Sequence, residues 1–104
     1  MGAKRNPPAA PTGVDATDGF PLLVTITWDD AGSTDIIIYE IWRAEDTVAN
    51  GGKPERIGTA DNDEFAFIDT TMDWGQTYHY WVKARDSWGA SPYSKYDTGY
   101  CPDF

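Results

Sequence analysis

Residues 77–85 read TYHYWVKAR, and two sets of side chains alternate strictly along this stretch. The first set is apolar or aromatic and consists of Tyr78, Tyr80, Val82 and Ala84. The second set consists of His79, Trp81, Lys83 and Arg85. Because successive side chains of a β-strand point to opposite faces, this period of two predicts a strand that packs its first set against a core.

Other segments of strand length lie on both sides of this one. Residues 22–28 (LLVTITW) alternate so that one face carries Val24, Ile26 and Trp28. In residues 36–43 (IIIYEIWR) the predicted inward side chains are Ile37, Tyr39 and Ile41, and the outward ones are Ile38, Glu40 and Trp42. Shorter candidates are residues 14–17, 55–59, 64–70 and 93–100. Seven short strands with turn signals about every 8 to 12 residues predict an all-β fold, a seven-stranded antiparallel β-sandwich.

The charge of the chain excludes two classes of partner. Its 104 residues include 17 acidic and 8 basic side chains, for a net charge of −9. Nucleic-acid affinity depends on Lys and Arg neutralising phosphates, and anionic membrane surfaces attract basic segments, so neither partner is expected. No apolar run approaches the ~18 residues of a membrane-spanning helix. A charge this far from zero favours a soluble monomer.

The composition also divides the chain. Residues 1–10 are rich in Pro and Ala without periodicity, which predicts a flexible Pro-rich linker or tail. Residues 11–101 form the predicted domain, and residues 102–104 a short tail. Cys101 is the single cysteine, so an intramolecular disulfide and a multi-cysteine zinc site are both excluded. No cofactor is expected.

Five motifs occur in order along residues 8–100. They are PAAPTGV at 8–14, Trp28 closing its strand, Tyr39-x-Ile41, MDWGQTY at 72–78, and Ala84-x-Asp86-x-x-Gly89-x-Ser91-x-x-Ser94. In this order they resemble the pattern of the fibronectin type III family. The chain departs from that pattern at Met72, where the family has Leu, and at Trp74, where it has Pro. Asp69 also falls on an inward position, and we expect it to accept backbone N–H bonds, because an unpaired buried carboxylate is costly.

The resemblance implies an immunoglobulin-like sandwich and gives four residues structural roles. Trp28 fills the space between the sheets beside Tyr39, and Tyr78 forms a tyrosine corner whose hydroxyl bonds upstream backbone at a turn that Gly75 permits. It also implies a non-catalytic spacer or domain-docking module in a larger, secreted multidomain protein, placed outside the cell or at its surface. The expected partners are neighbouring domains of that protein.

The outward faces of two strands carry the candidate binding surface. If the inward set is buried, then alternation leaves Ile36, Ile38, Trp42 and Trp81 facing outward. Exposed indoles flanked by isoleucines are unusual on a monomer and indicate a contact surface. Three explanations compete: a sugar ring stacks on the two indoles, a neighbouring domain docks there, or the stems of Lys83, Arg85 and Arg43 shield the face. Polysaccharide is therefore the alternative partner.

Catalysis and metal binding have weaker signals. His79 is the only histidine and lies in the middle of a predicted strand, and no nucleophile or phosphate-binding motif accompanies it, so no catalytic residue is predicted. The acidic pairs and runs at 29–30 and 61–64 carry oxygen atoms of the kind that calcium prefers. Asp and Asn also cap turns, and this interpretation is favoured, so no metal site is predicted.

Overall fold

The computed structural model describes residues 8–31 and 35–102. In these residues eight strands form two antiparallel sheets. They are β1 (Asp15–Ala16), β2 (Val24–Thr27), β3 (Ile38–Ala44), β4 (Glu55–Asp61), β5 (Ala66–Asp69), β6 (Thr77–Asp86), β7 (Gly89–Ala90) and β8 (Asp97–Tyr100), with a 3₁₀ turn at Val48–Asn50. Residues 1–7 of the predicted linker and 103–104 of the predicted tail lie outside the described part. No helix in the described residues has the length and apolar character needed to cross a membrane.

The two sheets form the predicted sandwich. One sheet has the order β1-β2-β5, and the other has the order β4-β3-β6, with both β7 and β8 paired to β6. The longest pairing joins β3 to β6 from Ile38↔Arg85 to Ala44↔His79, so that Trp42 lies opposite Trp81. The prediction of an all-β, immunoglobulin-like sandwich is confirmed.

The strand predicted at residues 93–100 forms only over its second half, as β8, and β7 (Gly89–Ala90) lies before its predicted start. Residues 91–96 separate β7 from β8, yet they still run beside β6 because serine hydroxyls take over part of the pairing. The Ser94 hydroxyl accepts the Val82 N–H at 2.9 Å, and the Ser91 hydroxyl accepts the Ala84 N–H at 3.0 Å. Pro92 has no N–H to donate, which favours a break in the ladder at this point. Residues 93–96 of the predicted strand therefore lie beside β6 without forming a continuous ladder with it.

Alternation holds within β3 but fails just before it. Ile36 was expected to face outward and is instead 4% exposed within the core, whereas Ile37, the expected inward residue, is 53% exposed. The strand begins only at Ile38, and the Ile37 N–H bonds the Arg85 carbonyl at 2.8 Å from a non-strand segment. The period of two therefore does not extend to these residues, and Ile36 leaves the candidate surface.

The core lies between the sheets where the alternation placed it. Its fully or nearly buried members include Val24, Ile26, Trp28, Tyr39, Ile41, Tyr80, Val82 and Ala84. Trp28 and Tyr39 pack with ring centroids 5.4 Å apart at a tilt of 56°. The predicted structural roles of these two residues are consistent with this packing.

The turn before β6 is a tyrosine corner. The Tyr78 hydroxyl accepts the Asp73 N–H at 3.0 Å, while the rest of the side chain is buried. Gly75 has φ 78°, a left-handed conformation that residues with a side chain adopt only at a cost, and its N–H bonds the Cys101 carbonyl at 2.8 Å. The corner therefore ties the end of the chain to the start of β6.

A second contact closes the side of the sandwich where β1 meets β8. The Asp97 carboxylate accepts the Ala16 N–H at 2.8 Å, and the Tyr100 N–H donates to the Thr17 carbonyl at 3.0 Å. These two bonds join strands of different sheets, so the sheets are linked along this edge.

A buried carboxylate lies at the end of β5. Asp69 is 2% exposed and accepts hydrogen bonds from the Tyr80 hydroxyl at 2.7 Å, Arg43 at 2.9 Å, and the Thr71 N–H and hydroxyl at 2.9 and 2.7 Å. Burial by itself raises the pKa of Asp69, but these four hydrogen bonds outweigh it and lower that pKa below its usual value. Burial and the Asp69 charge also raise the pKa of Tyr80. Asp69 therefore accepts the expected backbone N–H bond, from Thr71, and also accepts hydrogen bonds from three side chains.

Removal of the Trp28 side chain tests the core. Trp28→Ala leaves a cavity between the sheets and should lower the free energy of unfolding by about 3 to 5 kcal/mol, measured by urea denaturation. Trp74 is 52% exposed, so Trp74→Ala is the matched control and should change stability by no more than about 0.5 kcal/mol. Equal losses in both variants would contradict the assigned packing.

The Asp69 network predicts a pH dependence. Because the pKa of Asp69 is lowered in the folded state, its carboxylate stabilises the fold fully above the unfolded pKa of about 4, and this contribution is lost as the pH falls below that value. The stability difference between the wild type and Asp69→Asn should therefore be largest near neutral pH and shrink in acid. Asp63→Asn, at an exposed position, controls for the change in net charge. A difference that grows in acid would refute the network's role.

Candidate functional site

The outer face of the β3–β6 pair is not the exposed indole platform that alternation predicted. Trp81 does lie on the outward side, but it is only 5% exposed, and Trp42 is half-buried. Ile38 is also half-buried. The prediction that Trp81 is exposed is therefore wrong, because alternation gives the direction of a side chain and not what lies above it.

Two tyrosines from residues 91–96 cover Trp81. Tyr93 and Tyr96 pack on its indole with ring centroids 5.8 and 6.0 Å away. The series continues at both ends, with Trp42 5.6 Å from Tyr93 and His79 4.8 Å from Tyr96. We call these five side chains the aromatic ladder. Tyr93 and Tyr96 thereby remove the Trp81 indole from water, where it would otherwise form part of an exposed apolar patch.

The interrupted strand explains why the tyrosines reach this position. Ser91 and Ser94 are 2% and 6% exposed, and their hydroxyls fill the hydrogen-bonding places beside β6. Tyr93 and Tyr96, the residues near them, remain 36% and 48% exposed while they contact the indole. The sequence carries a signal for this arrangement in the spacing of Ser91 and Ser94 with tyrosines between and after them. This spacing can be interpreted only once the hydrogen bonds from the β6 backbone to the two serine hydroxyls are known, and an alternating strand pattern does not reveal them.

A lysine completes the cover. The Lys83 ammonium lies 4.1 Å from the Tyr93 ring centroid and 4.8 Å from that of Trp42, which are cation–π distances. No carboxylate of the described residues lies within ion-pair distance of it. Lys83 therefore shields the outward face, which agrees with the third of the predicted explanations. Arg43 does not, because its guanidinium is on the other side of the sheet, with Asp69 and above the Tyr78 ring.

Glu40 lies beside this cover and is almost completely buried at 1% exposure. Its carboxylate accepts hydrogen bonds from Arg85 at 2.9 Å, Arg56 at 3.2 Å and the Trp42 indole at 3.3 Å. Burial raises the pKa of Glu40, but the bonds from Arg85, Trp42 and Arg56 outweigh this effect and lower that pKa. Arg85 is thus engaged by Glu40, and Trp42 is fixed in orientation.

The geometry of the ladder matters for what the face can bind. Trp42 and Tyr93 are perpendicular at 89°, and Trp81 meets Tyr93 and Tyr96 at 54° and 58°. Although His79 and Trp81 are stacked at 27°, these steeper angles prevent the ladder from forming one continuous flat platform. The most exposed rings of the ladder are Tyr93 and Tyr96, and the Lys83 ammonium lies beside Tyr93 and the half-buried Trp42.

A groove borders the ladder. It has a volume of about 570 Å³ and runs between residues 10–14 on one wall and residues 93–96 on the other. Tyr93 and Tyr96 therefore belong both to the ladder and to a wall of this groove. No candidate surface was predicted there, because residues 10–14 and 93–96 are far apart in sequence.

The acidic runs show turn geometry. The Glu64 carboxylate accepts the Asp61 N–H at 2.9 Å, and the Glu64 N–H donates to the Asp61 carbonyl at 3.0 Å. This reciprocal pair closes the turn between β4 and β5, as the turn interpretation expected. In the described residues no cluster of three or more His, Cys, Asp or Glu side chains is arranged to hold a metal ion.

Comparison with solved structures identifies the architecture. A Fn3-like protein from Clostridium thermocellum matches with a TM-score of 0.73 at 23% identity, over 93% of this chain and 96% of that one. The fn3 domain of human contactin 1 matches with a TM-score of 0.74 at 16% identity, over 100% and 87% of the two chains. A β-1,2-glucanase from Parabacteroides distasonis matches with a TM-score of 0.75 at 20% identity, over 92% of this chain but 13% of that one.

The protein therefore has the fold of a fibronectin type III domain. Domains of this fold also occur within longer chains. A structure of titin domains A168–A170 matches with a TM-score of 0.72 at 24% identity, and the present chain covers 32% of it. No protein-family model matches the sequence, and no curated protein matches it.

The burial of Trp81 has a measurable consequence. Trp81→Ala should lower the free energy of unfolding by about 3 kcal/mol or more, because a covered aromatic side chain is removed. Thermal or urea denaturation measures this loss, with the exposed-residue variant Trp74→Ala as the reference. A Trp81→Ala protein as stable as the wild type would mean that the indole is exposed and that the tyrosine cover does not form.

Proposed function

We propose that this domain is a non-catalytic spacer and docking module within a larger, secreted multidomain protein. The FN1–FN3 domains of chicken CNTN1 form a longer chain of which this one covers 32%, which supports a modular role. The placement outside the cell rests on the resemblance to this family. Fold alone does not fix function, so the proposal depends on the geometry of this chain.

The observation that carries the spacer role is the position of the first and last strands. β1 begins at the end of the sandwich where β2 finishes, because Asp15 pairs with Thr27. β8 finishes at the opposite end, because Tyr100 pairs with Thr77, the first residue of β6. The chain therefore enters at one end of the sandwich and leaves at the other. A module built this way holds its neighbours apart along the strand direction.

The docking role is supported by the outer face. In a chain of net charge −9 this face presents parts of Tyr93 and Tyr96 next to the ammonium of Lys83. Tyrosine is enriched at protein contacts, where its ring is buried and its hydroxyl stays hydrogen-bonded. A neighbouring domain that packs here would bury the remaining ring surface.

Glycan binding is the second candidate, favoured by the same half-exposed tyrosine rings. The original expectation placed the sugar on Trp42 and Trp81, and the burial of Trp81 leaves Tyr93 and Tyr96 as the available rings. If soluble glycans at high concentration leave the side-chain NMR signals of these two tyrosines and of Trp42 unmoved, this candidate is wrong.

The spacer role predicts a defined distance. β6 has 10 residues, so at about 3.3 Å per residue the sandwich is about 33 Å long in the direction of this strand. When residues 8–102 are placed between two fluorescent reporter domains, time-resolved energy transfer should report a narrow distance distribution. A Gly/Ser linker with the same number of residues is the matched control and should give a broad distribution around about 50 to 60 Å.

Docking is tested separately in a fragment that contains this domain and an adjacent one. If docking occurs, the Tyr93 and Tyr96 NMR signals differ from those of the isolated domain, and Lys83→Glu restores the isolated-domain values. Identical signals in both proteins, with a narrow reporter distance, leave a spacer without docking. A broad reporter distribution equal to that of the Gly/Ser control would refute the spacer role itself.

A further inference from the structure

The connection between β3 and β4 contains the sequence Asn50-Gly51-Gly52. Asn50 ends the 3₁₀ turn and is exposed, and Gly51 follows it in a left-handed conformation with φ 92°. An asparagine followed by glycine is chemically labile, because the glycine nitrogen can attack the asparagine side-chain carbonyl carbon without a neighbouring Cβ in its way. An added Cβ on Gly51 would lie in open space, so water reaches this peptide bond.

The other two asparagines of the sequence lack this combination. Asn6 precedes a proline, which has no N–H and therefore no nucleophilic nitrogen. Asn62 precedes an aspartate, whose side chain hinders the attack, and its amide donates to the Ile36 carbonyl at 3.1 Å. Asn62 and Asn50 are both exposed, so exposure does not separate them. Asn50 is therefore the asparagine at which this chemistry is expected.

Hydrogen bonds within the connection restrain the reaction. The Gly51 N–H donates to the Val48 carbonyl at 3.0 Å, which keeps the proton on the attacking nitrogen. The Thr47 hydroxyl and carbonyl accept the Asn50 N–H at 3.3 and 3.1 Å. The Asn50 amide in turn donates to the Asp46 carboxylate at 3.3 Å. Because the 3₁₀ turn is a single short turn that buries none of its residues, it opens at little cost, and the rate of reaction depends on this opening.

We propose that Asn50 is a site of spontaneous modification, where the side-chain amide is lost as ammonia and the product opens the turn. The Gly51 nitrogen gives its proton to hydroxide and forms a bond to the side-chain carbonyl carbon of Asn50. The bond from that carbon to Nδ2 breaks, and Nδ2 takes up a proton from water and leaves as ammonia. Water then adds to one of the two carbonyl carbons of the succinimide ring, and the ring bond from that carbon to nitrogen breaks. The product is aspartate or isoaspartate.

Neither product fits the closed turn. An aspartate at position 50 lacks the amide donor and places a second carboxylate against that of Asp46, so two like charges replace a hydrogen bond. Isoaspartate lengthens the backbone by one methylene next to Gly51 and Gly52, and at Gly52 even an added Cβ would collide with the Asp46 carbonyl oxygen. The turn also forms one wall of a cavity of about 570 Å³ whose opposite wall includes Thr71 and Tyr78. The modification therefore loosens this wall, and it is permanent because the ammonia has left.

Peptide mass spectrometry of the whole chain tests the site. Trypsin places the three asparagines in separate peptides, residues 6–43, 44–56 and 57–83, since the bond after Lys53 precedes a proline and is not cut. After several days at mildly alkaline pH, the peptide 44–56 should gain the mass that replaces an amide NH₂ by OH. Part of the product should be labelled by an isoaspartyl methyltransferase. The other two peptides should keep their masses.

Two variants test whether the turn controls the rate. Thr47→Ala removes the side-chain cap, so the turn should open more often and Asn50 should be modified about threefold faster, the scale of a lost cap. Thr59→Ala, at an exposed position of β4, is the matched control and should leave the rate unchanged.

A second pair of variants tests the consequence for the turn. Asn50→Asp reproduces the charged product, and hydrogen exchange of the Gly51 and Gly52 amides should become about twofold to fivefold faster, the scale of one exposed charge pair. Asp46→Asn combined with Asn50→Asp exchanges the two side chains and restores one donor and one carboxylate. The double variant should therefore return both exchange rates to those of the wild type.

Three results would overturn the assignment of the site. These are an unmodified 44–56 peptide in both the wild type and Thr47→Ala, equal modification of Asn50 and Asn62, and a rate that Thr47→Ala leaves unchanged. Unaltered amide exchange in Asn50→Asp would refute the opening of the turn. None of these outcomes alters the reporter distance that tests the spacer role, so the two proposals can fail independently.

Discussion

The register between β3 and β6 is the constraint on which the remaining structure depends. Seven consecutive residue pairs, from Ile38↔Arg85 to Ala44↔His79, fix which side chains face the second sheet. In this register Tyr39 and Val82 point inward, and Trp42 and Trp81 point outward as a pair. A shift by one residue would exchange the two faces, burying Lys83 and Arg85 in the core, so the register is strongly specified. The core and the aromatic ladder are two results of the same pairing.

Much of the fold was predictable from the sequence because a strand with one buried face records its burial in its alternation. Val24, Ile26 and Trp28 lie inside as their spacing required, and the Tyr78 corner forms where its motif stands. Prediction failed where the backbone leaves the strand. Ile36 and Ile37 exchanged places because β3 had not begun, and alternation has no meaning outside extended paired backbone.

The candidate site was only half predictable for a related reason. The sequence indicated correctly that two indoles face outward, but whether an outward side chain meets water depends on what crosses above it. Tyr93 and Tyr96 cross Trp81 because Ser91 and Ser94 replace part of a strand ladder with side-chain bonds. Glu40 similarly became buried because Arg56 and Arg85 approach it from two neighbouring strands. These are contacts between distant segments, and no local pattern contains them.

The contact between Ala16 and Asp97 has a consequence for solubility. The unpaired backbone of an edge strand is a template on which a further strand can add, and this is a common start of amyloid growth. Here the Asp97 carboxylate already occupies the Ala16 N–H, and the Tyr100 N–H occupies the Thr17 carbonyl. The side of the sandwich at β1 and β8 therefore offers fewer free groups to an incoming strand, and any strand that approaches also meets a negative charge. If many such modules followed one another in a chain, this edge would disfavour strand pairing between adjacent copies at their high local concentration.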